Sequence, residues 1–235
     1  MLSSKFNLEK NIRFAVVGFA INIALVFISY KLVIMNGGVG SVGLWATLMA
    51  WTSLIRIGDV GMANATLRFV AMRDTSIDKD KEAIQKYIDT GIVSNFVFFA
   101  CLSVLGYILL SDNLPSLVDA SSLIESHELL PVMFLSFFLM NLNGVIAGSL
   151  QGLHYGYIAT QIGVFGNVIQ LTVVLFLVPV LGLKGLALAQ VVQYTITILI
   201  AWYLIGVKLK SKQVIPLNSS ISTLKEMLSF SLKAQ

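Results

Sequence analysis

Apolar and polar residues alternate along this chain on the scale of whole helices. Six long apolar stretches are separated by short segments that hold most of the charge. At 1.5 Å per residue, about 20 apolar residues cross the ~30 Å hydrocarbon core of a bilayer. The pattern therefore predicts six membrane helices, at about 12–35, 43–72, 87–110, 129–150, 157–178 and 185–207. The expected fold class is all-α, a polytopic membrane helical bundle. Residues 1–215 form one six-helix lobe, and 216–235 a linker and the start of a second, truncated lobe. The first apolar run has the basic start of a signal peptide, but it is longer than an h-region and lacks a small-x-small cleavage site, so it is read as a retained helix.

Composition agrees with the pattern. The chain is 57% hydrophobic and 12% charged, about half the charged fraction of a soluble domain. Its net charge of +4 comes from Lys and Arg gathered before the first helix, in 74–86 and after 207. Loop 111–128 carries Asp112, Asp119, Glu125 and Glu128 without a Lys or Arg. By the positive-inside rule both ends of the six-helix unit are cytoplasmic. The charge is thus a topology signal, and nucleic acid is not a partner. The single cysteine, Cys101, sits in an apolar run and reads as a small hydrophobe. His127 and His154 lie far apart, so no metal site is expected. Asp78-Lys79-Asp80 has the spacing of a divalent-cation motif, but a mixed-charge run without a flanking α/β domain reads as a solvated loop.

Candidate chemistry lies in the polar residues inside the apolar runs. Arg56 and Asp59 fall midway along the second helix, three residues apart and so on one face. An ionised group near a bilayer centre costs about 2.5–3.5 kcal/mol on insertion scales, which favours a bundle interior or a wet cavity. Against a functional role stands a self-neutralising pair that fixes packing. Gly58 and Gly61 flank Asp59 and permit a bend or a close helix contact. Arg68, near the end of that helix, suits a cavity mouth or phospholipid headgroups. Asn22 is central in helix 1. In helix 4, Asn141 and Asn143 cannot share a face, and Gly144, Gly148 and Gly152 form a stripe for close helix approach. In helix 5, Gly163, Gly166, Asn167 and Gln170 fall on one face, suited to a helix contact or a wet wall. Helix 6 carries Gln190 and Gln193.

The chain's end echoes its beginning. Leu224, Leu228, Phe230 and Ser231 repeat the spacing of Leu8, Ile12, Phe14 and Ala15, and repeated halves are common in secondary transporters.

With VGLWATLMAWTSLIRIGDVGMANATLRFVA at 42–71, IAGSLQGL at 146–153 and the restart at 224–232, the chain resembles the Wzx-type polysaccharide and O-antigen flippases. These belong to the multidrug/oligosaccharidyl-lipid/polysaccharide (MOP) superfamily. The resemblance implies one lobe, the N-terminal half, of a two-lobed MATE-like transporter in the bacterial inner membrane. The missing C-terminal lobe is then a partner, with membrane lipids. It implies no catalysed reaction and no cofactor. The implied cargo is an undecaprenyl-diphosphate-linked oligosaccharide, flipped to the outer leaflet by alternating access. Arg56 and Arg68 would meet the diphosphate, Asp59 would orient Arg56, and Asn22, Asn141, Asn167 and Gln170 would meet sugar hydroxyls. The rival readings are a MATE-like drug or cation exporter, which needs unpaired intramembrane acids, a membrane enzyme, which needs a catalytic loop, and a non-transporting fragment or subunit.

Overall fold

A computed structural model describes residues 2–55, 61–210, 215–216 and 218–234. These residues contain no strand. The elements are α1 (Leu2–Ile55), α2 (Met62–Ala71), α3 (Asp78–Leu117), α4 (Leu123–Gly152), α5 (Gly156–Leu181), α6 (Leu183–Leu209) and α7 (Ile221–Ala234), with a 3₁₀ turn at Ala120–Ser122 before α4. Among the described residues, five helices are long and apolar enough to cross a membrane, and the chain is a multi-pass membrane protein.

The first of these spans holds two of the six predicted passes. Gly38 interrupts α1 with φ 76° and ψ 178°, a conformation open to glycine and strained for other residues. In a straight helix Val26 and Trp45 would stand about 28 Å apart, yet both line one small cavity. The chain therefore folds back at Gly38. The second predicted helix, 43–72, is not continuous. Within it α2 starts afresh after Gly61, which is left-handed at φ 67° and ψ 30°.

The other predicted passes are present, with longer helices. The charged segment 74–86 is largely helical, because α3 begins at Asp78. Asp78 and Asp80 occupy its first turn, where acidic side chains meet the positive end of the helix dipole, and Asp78 pairs with Lys81 at 2.7 Å. The motif read as a loop is thus a helix start, and no metal cluster occurs among the described residues. Pro131 lies inside α4, which begins at Leu123, ahead of the predicted start at 129. Pro179 likewise lies inside α5 and does not end it. Interior prolines are tolerated in membrane helices, where neighbours re-satisfy the freed backbone groups.

Packing is layered along the helix axes. One apolar layer includes Phe99, Leu110 and Leu114 of α3, Leu129–Phe137 of α4, Val174 and Val178 of α5, and Leu183–Ala189 of α6. A second includes Ile84–Ile92 of α3, Val145–Leu150 of α4 with Leu153 just beyond it, Ile162 of α5, and Ala201–Leu209 of α6, joined by Met227 of α7. On each of these four helices the polar residues Asn95, Asn141, Asn143, Asn167, Gln170, Gln193 and Thr197 fall between the two layers. The second layer adjoins the basic end, with Arg68, Arg73, Lys79, Lys81, Lys208 and Lys210. The first adjoins the acidic end.

The glycine stripe of α4 serves α2. A Cβ on Gly148 would come within 2.8 Å of the Ala63 carbonyl oxygen, and one on Gly152 within 2.7 Å of that of Leu67. Gly144 faces open space. Replacing Gly148 by Val should therefore destabilise the protein by about 1–3 kcal/mol, the usual range for overpacking. Gly144→Val should stay within about 0.5 kcal/mol of wild type. Thermal unfolding of the detergent-solubilised variants, compared side by side, checks this difference.

Candidate functional site

The polar layer is built by four helices turning carboxamides and hydroxyls toward one another. Gln193 of α6 donates from Nε2 to Asn167 Oδ1 of α5. Asn167 in turn donates from Nδ2 to Asn22 Oδ1 of α1. Thr197, one turn further along α6, donates to Asn143 Oδ1 of α4 at 3.0 Å. Ser136 of α4 stands 3.2 Å from Gln190 Oε1 of α6. Within a bilayer there is no bulk water to take these bonds, so the residues satisfy one another and tie α1, α4, α5 and α6 at mid-depth. Gly166 lets α6 come close enough, since a Cβ there would run into Thr197.

Beside this network lies a cavity of about 160 Å³, room for on the order of five waters. Ser29 and Tyr30 of α1, Trp45 beyond its fold-back, Asn167 and Gln170 of α5, and Gln190, Gln193 and Tyr194 of α6 line it. The lining contains no Asp, Glu, Lys, Arg or His. Apart from the Trp45 indole N–H, a donor only, its polar side chains are amides and hydroxyls, able to donate and to accept.

The expected site residues separate into three groups. Asn22, Asn167 and Gln170 come together, the first two through a direct hydrogen bond and the last two in the cavity wall. Asn141 does not join them. It is 5% exposed, its Nδ2 donates to Phe137 O of its own helix at 2.8 Å, and its carbonyl accepts from Asn95 Nδ2 of α3 at 3.0 Å. The tie between α3 and α4 is thus made by the Asn95 side chain to the α4 backbone, while the Asn141 side chain bonds within its own helix. Arg68 also stands apart, at the basic end, with its guanidinium over the Phe230 ring at 4.1 Å. Arg56 and Asp59 lie outside the described residues.

Several contributors were not assigned from sequence. Gln190, Gln193 and Thr197 recur at three- and four-residue intervals, and that stripe was available as a signal. Ser29 and Tyr30 gave none, since serine and tyrosine are ordinary in membrane helices. The buried acid of α3, Asp89, is 0% exposed. It accepts from Gln85 Nε2 at 2.6 Å and from the Asn218 backbone N–H at 3.0 Å. It anchors the connection into α7 on the basic side and does not line the cavity.

No protein-family model matches the sequence, nor does any curated protein. Solved structures do match in fold. A MOP superfamily transporter from Pyrococcus furiosus, described by the reverse polarity of its binding pocket, superposes with a TM-score of 0.73 at 18% identity, over 96% of this chain and 51% of its own. An outward-facing multidrug resistance MATE family transporter gives 0.73 at 16% identity, over 96% and 51%. MATE in its straight conformation gives 0.74 at 19% identity, over 96% and 52%. The chain therefore has the fold of MATE-type transporters of the MOP superfamily, which are transporters and not enzymes. It spans about half the length of these structures.

The two kinds of polar residue should respond differently to substitution. Asn95→Leu breaks the α3–α4 bond and should lower stability by about 0.6–1.7 kcal/mol, the range measured for interhelical hydrogen bonds in a membrane protein. Gln170→Leu should leave thermal stability unchanged or raise it. Unfolding of the two purified variants under one condition reads the difference.

Proposed function

We propose that this chain is a transporter lobe that flips an undecaprenyl-diphosphate-linked oligosaccharide across the bacterial inner membrane by alternating access. The observation that carries the reading is the uncharged carboxamide and hydroxyl cavity at mid-depth, set in a MATE-type half fold. Sugar hydroxyls donate and accept in equal measure, and Asn and Gln side chains meet both demands without carrying a charge into the membrane. The basic end faces the cytoplasm, where the lipid-linked precursor is made. The diphosphate is assigned to Arg56, whose planar fork matches phosphate oxygens, with Asp59 moderating its grip. Arg68, exposed at the basic end, offers the incoming anion a first contact.

Drug or cation export is the second reading, favoured by the multidrug transporter that shares the fold. A cation site needs an intramembrane carboxylate facing the cavity. The lining supplies none, and Asp89 is engaged by Gln85 and Asn218 on the basic side.

The test uses cells deleted for the full-length gene and complemented with wild type, Arg56→Ala, Arg56→Lys or Gln170→Leu, with membrane levels matched by blot. Arg56→Ala should lower surface glycan about tenfold or more, as expected for the loss of a charge-assisted hydrogen bond worth about 1.5–3 kcal/mol. Lipid-linked precursor should accumulate in the same cells. Unchanged glycan with altered sensitivity to cationic drugs would overturn the reading in favour of the second.

A further inference from the structure

The polar groups around the mid-depth cavity are not equally committed. Asn167 uses both ends of its amide, donating to Asn22 and accepting from Gln193. Ser29 donates to Leu25 O of its own helix at 2.9 Å. These residues are wall. By contrast, the Gln170 amide and the Tyr30 hydroxyl bond to no described residue. Gln190 Oε1 lies 3.2 Å from the Ser136 hydroxyl, but its Nε2 donates to no described residue. Trp45 adds a further donor. It is 1% exposed, and its indole N–H also donates to no described residue, although a buried one usually finds a partner. Two carboxamides, a phenol and an indole thus bring unmatched groups to the wall of one space.

Size and charge narrow what that space can take. Its 160 Å³ holds on the order of five waters, about the bulk of one pyranose ring. No Asp, Glu, Lys, Arg or His lines it. A carboxylate or an ammonium would therefore enter without a counter-ion, and an unpaired charge buried in a membrane is strongly disfavoured. A sugar hydroxyl asks only for a donor or an acceptor, which a carboxamide supplies from either end. Trp45 and Tyr30 join an apolar ring to a polar tip, and a pyranose likewise joins C–H faces to hydroxyl edges.

We propose that the cavity is a subsite for a single uncharged pyranose, read by Gln170, Gln190, Tyr30 and Trp45, and that it selects cargo by charge. A neutral hexose unit fits there, whereas a uronic acid or an amino sugar does not. This deepens the flippase reading and rests on it for the identity of the cargo, of which the bound ring is one unit.

The experiment titrates the full-length protein in lipid nanodiscs with methyl glucoside, methyl glucuronide and the methyl glycoside of glucosamine, and follows binding by saturation-transfer NMR. Methyl glucoside should bind about tenfold or more tightly than either charged probe, because neither charge finds a partner in the wall. Gln170→Leu and Trp45→Phe should each weaken methyl glucoside about threefold to tenfold, the effect of one lost hydrogen bond. Gln170→Lys should turn the preference toward the glucuronide. The ranking of the three probes in the unmutated cavity needs no variant to fold. Charged probes bound as tightly as methyl glucoside would overturn the charge selection. No binding of methyl glucoside would overturn the subsite, and so would binding untouched by both Gln170→Leu and Trp45→Phe, since the sugar would then sit elsewhere. Glycan export in cells judges the flippase reading separately. Export that survives Arg56→Ala beside normal glucoside binding removes that reading and leaves a sugar site, and lost export without glucoside binding does the reverse.

Discussion

A polar layer caught between two apolar ones governs this molecule. Carboxamides at mid-membrane have no bulk water to turn to, and each must find a partner on another helix or face a wet space. Gln193, Asn167 and Asn22 form a chain through α6, α5 and α1, while Thr197 and Asn143 join α6 to α4. The helices that carry these residues are thereby fixed in register, and the apolar side chains above and below are aligned into layers. The same requirement creates the cavity. Where four helices present amides and hydroxyls faster than they can pair them, as at Gln170, the surplus lines a space that water or a hydroxyl-rich ligand fills.

The two ends of the lobe are built to different specifications. Toward the acidic end the cavity is walled by α1 on both sides of its fold-back and by α5 and α6. Toward the basic end the structure is dense, with α2 seated against α4 through Gly148 and Gly152 and α7 closing over α2 and α3. Buried Asp89 belongs to this dense end. It accepts from the Asn218 N–H while Thr90 accepts from that of Ser220, so the start of α7 is fastened through its backbone. The rest of α7 packs through buried Thr223, Met227 and Ser231.

Much of the architecture was legible because membrane helices announce themselves by length and apolarity. Helices 3 to 6 were found for that reason. Their ends were not, because the apolar pattern records only the part immersed in lipid. Asp78, Asp80 and Lys81 continue α3 into water, where charge favours a helix start as readily as a loop. The break in the second pass needed a backbone angle at Gly61 that the sequence only permitted. In the site, Asn167 and Gln170 were legible from their shared face, and Asn22 from its central place in an apolar run. The role of Asn141 was not, since its neighbour Asn95 lies 46 residues away in sequence. An asparagine that bonds back to its own helix, as Asn141 does, and one that faces a cavity are alike until the partner helix is placed.

The most direct test of the layered account is a cysteine scan down α6, in the full-length protein freed of native cysteines. Gln190, Tyr194, Ala201 and Ile205 are replaced singly, and a small water-soluble thiol reagent is applied from the acidic face. Cysteines at 190 and 194, in the cavity wall, should react readily. Those at 201 and 205, within the basic-side apolar layer, should react slowly or not at all. Equal reactivity down the whole face, or none at 190 and 194, would mean that no wet layer divides the two apolar ones, and would contradict the account.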